Sequence, residues 1–272
     1  MTPSSIVRRA LAGAFVGACV CALAACAADG LSGADAGAKP LSAAELDTIV
    51  ASPDRSDADR RNDVRRKPAE MLAFIGVRPG MVALDLSAGG GYTTELLARA
   101  AGPTGIVYGQ SRPPAPAASG AAARRTSAMA LAERAKKPAT ARIVAVERPF
   151  EDPVPAERAT AGLDVVTLMF NYHDLTYLPI DRARMNAAVF RALKPGGVYV
   201  VADHSAQPGT GISVASTLHR IDEAFLRREV EAAGFRLADE GLFLRNRADP
   251  RDREEPDPPM PKDEFVFRFV KP

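Results

Sequence analysis

Apolar positions fall along the chain in two alternating kinds of pattern. Short apolar runs occur at Met81–Leu86, Gly105–Gly109, Arg142–Val146, Leu163–Phe170 and Val198–Ala202. Strands covered on both faces look like this, as in a parallel sheet. Between them, apolar residues recur at helical spacing. Met71, Leu72 and Ile75 share one face after Pro68, and Gly76 ends that helix. Tyr92–Ala101 and Arg124–Lys137 read as helices, the second stopped at Pro138. Asp181–Leu193 carries Met185, Val189 and Leu193 four apart, and Ser216–Ala233 is a further helix closed by Gly234. Ser42-Ala-Ala-Glu45 is a capping box opening a short helix. Two strands, Phe235–Leu244 and Phe265–Val270, close the chain with no helix between them, which predicts antiparallel pairing at one edge. The expectation is an α/β domain over residues 41–272. It holds a seven-stranded, mostly parallel sheet with an antiparallel edge strand and helices on both faces. Pro53–Lys67, dense in Arg and Asp, reads as a solvated stretch; Ser111–Ala123 and Asn246–Lys262 read as surface loops.

The N-terminus has a different pattern. Arg8-Arg9 precedes an uncharged run from Ala10 to Ala25, which is shorter than the roughly 20 residues a membrane span needs. It has the layout of an export signal. Leu23-Ala24-Ala25-Cys26 resembles a bacterial lipobox, with Cys26 as the lipid-bearing first residue of the mature chain. An ordinary signal peptide cut at a nearby small residue is the alternative. The reading is thus a signal peptide (1–25), a lipidated Cys26 with a flexible tether (26–40), and a periplasmic or cell-envelope lipoprotein held to the membrane through Cys26. Cys19 and Cys21 would leave with the leader.

Composition narrows the class. Of 272 residues, 47% are apolar and 25% charged, ordinary for a folded domain, which excludes disorder and a multi-pass membrane protein. Three cysteines exclude a disulfide-stapled fold. Lys+Arg is 35 against 33 Asp+Glu, and loss of Arg8 and Arg9 with the leader leaves the two equal. No basic excess points to nucleic acid.

Val82-Ala-Leu-Asp-Leu-Ser-Ala-Gly-Gly-Gly91 resembles motif I of class I S-adenosylmethionine-dependent methyltransferases. Arg78-Pro79-Gly80 before it, Leu193-Lys-Pro-Gly-Gly197 and Glu231-Ala-Ala-Gly-Phe235 match the same family in order and spacing, over about residues 65–270. Asn171-Tyr-His-Asp174 and Ala202-Asp-His-Ser205 look like an exported bacterial branch of it. The resemblance implies a Rossmann-like fold, S-adenosyl-L-methionine as cofactor and a small-molecule acceptor. It implies that Asp85 orients the cofactor's methionine end, beside the loop Ser87, Gly89 and Gly91. In the family an acidic residue commonly ends the second strand and binds the ribose; here Gln110 stands there, a neutral hydrogen-bonding group. Glu151, after the third strand, is placed near the adenine, and Asn171 and Tyr172 in the pocket. A dinucleotide fingerprint fits less well, since Thr94 occupies its third glycine position.

All three histidines lie beyond the fourth strand, at 173, 204 and 219. Methyl transfer from a sulfonium needs an aligned nucleophile, and many acceptors need a base. His173 or His204 is the candidate base, with Asp174 or Asp203 orienting it; His219, in the following helix, reads as structural. His173, Asp174, Asp203 and His204 are metal-binding types without a ligand-spacing signature, so no metal is expected. A charged donor does not cross a bilayer unaided. Export therefore keeps a second class in view, a non-catalytic small-molecule- or nucleoside-binding lipoprotein on the same fold.

Overall fold

A computed structural model describes residues 39–113 and 127–272. The leader, Cys26 and nearly all of the tether lie outside the described residues, as does most of the Ser111–Ala123 segment. Ser42 caps α1 (Ala43–Val50): its side chain accepts from the Glu45 N–H, and Glu45 accepts from the Ser42 N–H, completing the capping box.

The stretch from Pro53 to Lys67 corrects the sequence reading. Its middle is a helix, α2 (Asp57–Arg66), capped by Ser56. No apolar stripe marks it; Val64, its one large aliphatic side chain, is 84% exposed. Ion pairs hold it instead. Arg55 meets Asp63 at 2.7 Å, and Asp59 meets Arg134, 75 residues away, at 2.8 Å. Arg55 and Asp59 are buried, so these pairs are screened far less than surface pairs.

Lys67 turns the chain into α3 (Pro68–Ile75), which ends at Gly76 as its spacing predicts. There follow β1 (Val82–Leu86), α4 (Tyr92–Ala101), β2 (Ile106–Ser111), α5 (Ser127–Arg134), β3 (Ile143–Glu147), β4 (Leu163–Met169), α6 (Arg182–Ala192) and β5 (Leu193–His204). The chain closes with α7 (Ala215–Leu218), α8 (Glu223–Ala232), β6 (Arg236–Gly241) and β7 (Glu264–Val270). The sheet runs β3-β2-β1-β4-β5-β7-β6. β7 is antiparallel to both neighbours, inserted one place in from the edge, and the remaining pairs are parallel.

Alternation along β5 assigns its two faces. Tyr199 and Val201 pack with Met185 and Val189 of α6 and Leu226 of α8. Val198, Val200 and Ala202 pack with Leu72 of α3 and Leu96 of α4. Helices therefore cover both faces, as expected. β1 joins onward to β2 on one side while β4 lies on the other. A crevice opens at such a reversal, at the carboxyl ends of the strands.

The helix expected over Ser216–Ala233 is broken. Its first turn is α7, His219 then adopts a left-handed conformation (φ 51°), and Asp222 caps α8 by accepting the N–H groups of Ala224 and Phe225. The break frees Arg220 to turn inward. Its guanidinium meets Asp249 at 2.7 Å with both side chains fully buried, which anchors the otherwise irregular 246–262 loop. Among the described residues, no helix is long and apolar enough to cross a membrane.

Candidate functional site

Asp85 sits near the end of the central strand β1, directly opposite Thr167 of β4. Its carboxylate accepts the Thr94 hydroxyl at 2.6 Å and the Thr167 hydroxyl at 2.7 Å. Burial raises its pKa to about 6, against the pull of these hydroxyls and of Arg66. The chain then turns sharply. Ser87 is left-handed, its N–H donates to Gln110 Oε1 at 2.9 Å, and its hydroxyl donates to Asn171 Oδ1 at 2.7 Å. Gly91, at φ 82°, forms the N-cap of α4.

These turns open a cleft of about 290 Å³ whose walls include Asp59, Asn62, Arg66, Asp85, Gly89 and Tyr92. Three of the six come from the stretch read as solvated. Arg66 matters most. It stacks on Phe170, 3.8 Å from the ring centroid, and makes no hydrogen bond or ion pair among the described residues. Burial, helped by neighbouring Arg65, lowers its pKa to about 10, which leaves it charged at neutral pH. An unpaired guanidinium facing a cleft suits a carboxylate. The sequence offered only Arg65-Arg66 ahead of a helix-opening proline, with no periodicity to show which way either points.

Three residues assigned to the cofactor point elsewhere. Gln110 is fully buried with both ends of its amide engaged, accepting from Ser87 and donating to the Arg148 carbonyl at 2.7 Å. It braces the glycine loop, and its burial leaves it no exposed surface to offer a ribose. Tyr172 is turned into the core. It is fully buried, and its hydroxyl donates to Glu229 at 2.9 Å and accepts from Asn186. Glu151 accepts the N–H of Asp181 at 3.1 Å, the residue that caps α6. Asn171 lies between the two halves of the site: it accepts from Ser87 and donates to Asp174 Oδ2 at 2.6 Å.

The second half is the histidine cluster. Asp203, at the end of β5 and fully buried, accepts the His173 backbone N–H at 2.8 Å and meets His173 Nδ1 at 2.6 Å. The other ring nitrogen, Nε2, lies 3.1 Å from Asp174 Oδ1. Burial pulls the His173 pKa down; the bond to Asp203 and the charges of Asp203 and Asp174 outweigh it and raise the pKa. Tyr177 also donates to Asp174. His219 joins the group unexpectedly, its Nδ1 3.4 Å from Asp174 Oδ1. Only the break after α7 brings it there. His204 lies 5.7 Å from His173, ring to ring; its buried Nδ1 is 3.1 Å from Glu264 Oε1, a close contact that does not meet hydrogen-bond geometry.

No protein-family profile matches the chain, nor does any curated protein. Solved structures share its fold. An S-adenosylmethionine-dependent methyltransferase from Aquifex aeolicus superimposes with a TM-score of 0.55 at 14% identity, covering 85% of this chain and all of that one. An arsenic(III) S-adenosylmethionine methyltransferase from Chlamydomonas reinhardtii gives 0.53 at 17% identity, over 86% of this chain and 74% of its own. The [4+2]-cyclase SpnF gives 0.53 at 17% identity, over 76% and 83%. At such identities the likeness establishes the fold, the Rossmann-like architecture of class I methyltransferases.

Proposed function

We propose that the protein transfers a methyl group from S-adenosylmethionine to a small-molecule acceptor. The observation that carries this is the hydrogen-bonded path Ser87–Asn171–Asp174, which joins the glycine-rich cleft to the histidine cluster. When bound, S-adenosylmethionine supplies an electrophilic methyl on a sulfonium. The cleft suits its amino-acid end: Arg66 would hold the carboxylate and Asp85 the ammonium, while Gly89 and Gly90 would allow close backbone approach.

In this reading the acceptor is seated between cleft and cluster, in line with the methyl. His173, Asp174 and His204 form the acid–base group. His204 would take the acceptor's proton at Nε2, since its Nδ1 is buried 3.1 Å from Glu264 Oε1. His173 is held between two carboxylates and orients and balances charge.

Calorimetric titration with S-adenosylmethionine and then S-adenosylhomocysteine tests the reading. Binding in the micromolar range, about 8 kcal/mol, is expected. With an acceptor that supports turnover, His204→Ala should lower kcat at least 100-fold and leave donor affinity unchanged. No binding to folded protein would favour the second reading, a non-catalytic binding protein. The internally engaged Gln110 speaks for that alternative.

We further propose that residues 1–25 direct export and that Cys26 carries a lipid. Labelled palmitate should enter the wild-type chain and not Cys26→Ala. Absence of label in the wild type would reduce the segment to a plain signal peptide.

A further inference from the structure

We propose that His173 Nε2, Asp174 Oδ1 and His219 Nδ1 form a binding site for a divalent transition metal, with zinc as the type ion. The site stands on its own geometry and does not depend on the methyl-donor reading.

The three donor atoms lie within 4.8 Å of one another. Two ligands about 2.1 Å from a tetrahedral ion are about 3.4 Å apart. The observed edges are 3.1 Å from Asp174 Oδ1 to His173 Nε2 and 3.4 Å from the same oxygen to His219 Nδ1. One ion can therefore touch all three with small adjustments. Two imidazoles and one carboxylate, with the remaining positions open, are a recurrent donor set for zinc and for non-haem iron.

The surroundings are also those of a metal ligand. His173 Nδ1 is 2.6 Å from the fully buried Asp203 carboxylate. When that nitrogen carries the proton, Nε2 presents a lone pair to the cluster; a carboxylate behind a histidine commonly fixes the ligating tautomer in this way. The lone pair then faces the Asp174 oxygen, two electron-rich atoms that need a cation between them. A proton can fill that role for one pair, while a metal also engages His219. Asp174 is itself fixed by Asn171 at its other oxygen. His219 arrives in a left-handed conformation rare for a non-glycine residue. Its side chain is 40% exposed and that of Asp174 29%, so an ion has a way in and room for water or an acceptor oxygen. Every histidine of the chain lies in this cluster or stacks against it.

The test uses the full chain, purified without a histidine tag and stripped with chelator. Zinc is titrated by calorimetry, and cobalt(II) by its visible ligand-field bands. One ion per chain should bind with a micromolar or tighter dissociation constant. His219→Gly, which keeps the left-handed backbone, should weaken zinc binding at least 100-fold. Asp203→Asn should weaken it 10- to 100-fold with its circular dichroism unchanged. Failure of the folded wild type to bind either ion overturns the proposal. So does zinc binding that survives His219→Gly, since it would then belong to other groups, such as the three N-terminal cysteines.

Discussion

Replacing Gly91 by Ala is expected to destabilise the protein by about 3 kcal/mol and to weaken S-adenosylmethionine binding at least tenfold. Two costs add. Gly91 has φ 82°, and a Cβ in that region costs about 1–2 kcal/mol. The added atom would also lie 2.8 Å from both Arg134 Cδ and Leu131 Cδ2. Overpacking of this kind typically costs about 1–3 kcal/mol. Neither neighbour yields freely. Leu131 is fully buried, and Arg134 donates to the Gly90 carbonyl at 2.6 Å while gripping Asp59 with both terminal nitrogens. Pushing Arg134 aside would loosen the loop and α2 together, and with them two walls of the cleft. Gly90→Ala is the matched control: its Cβ meets nothing within 4 Å and its φ is ordinary, so its stability should stay within about 0.5 kcal/mol of wild type. Denaturant unfolding of the two variants decides. Equal stability would mean that the glycine run is only a permissive turn.

Asp85→Asn is expected to stabilise the protein at neutral pH while impairing donor binding. The folded state holds the Asp85 pKa at about 6, above the ordinary value of 3.8, because burial penalises the charged form. A raised carboxyl pKa means that the folded state binds the proton more tightly than the unfolded one. Its contribution to stability is then full below pH 4 and is lost as the pH rises through 6. The gap corresponds to about 3 kcal/mol above pH 7. Wild type and Asp85→Asn should accordingly match near pH 4 and diverge up to pH 7, with the variant the more stable. Comparing the pair cancels other carboxyls, such as Asp59, lowered by Arg134 against the effect of burial, and Glu95, lowered by Arg99 and Arg134 against the same effect, which shift the other way. Loss of the negative charge should reduce S-adenosylmethionine affinity at least tenfold, a usual exchange of stability for function. A difference between the two proteins that does not vary with pH would show that Asp85 is not a strained buried charge.

The two carboxylates that flank β1 and β5 illustrate how a local sequence limits what can be inferred. Asp85 could be placed at the mouth of a glycine loop from the strand pattern alone. Asp203 could be placed at the end of β5, but its partner could not be named, because His173 and His204 were equally available by type. The sheet register that sets β4 beside β5 brings the His173 turn over Asp203 and leaves His204 to Glu264.

Sequence pattern by itself determined the strands, most helices, the sheet class and the position of the glycine loop. These follow from local periodicity, turn residues and caps, each acting over a few neighbours. Tertiary structure decided what depends on partners distant in the chain. α2 has no apolar stripe and forms because Asp59 finds Arg134 and Arg55 finds Asp63, so its cleft-facing Arg66 was invisible to a hydrophobic pattern. Tyr172 follows Asn171 directly, yet its hydroxyl is drawn to Glu229 and Asn186 in the core while Asn171 bridges the two halves of the site. His219 reaches Asp174 only because Arg220 is pulled inward by Asp249 and the helix breaks in front of it. Side-chain direction in these places is set by burial and charge pairing across the fold, which the order of residues along one segment does not encode.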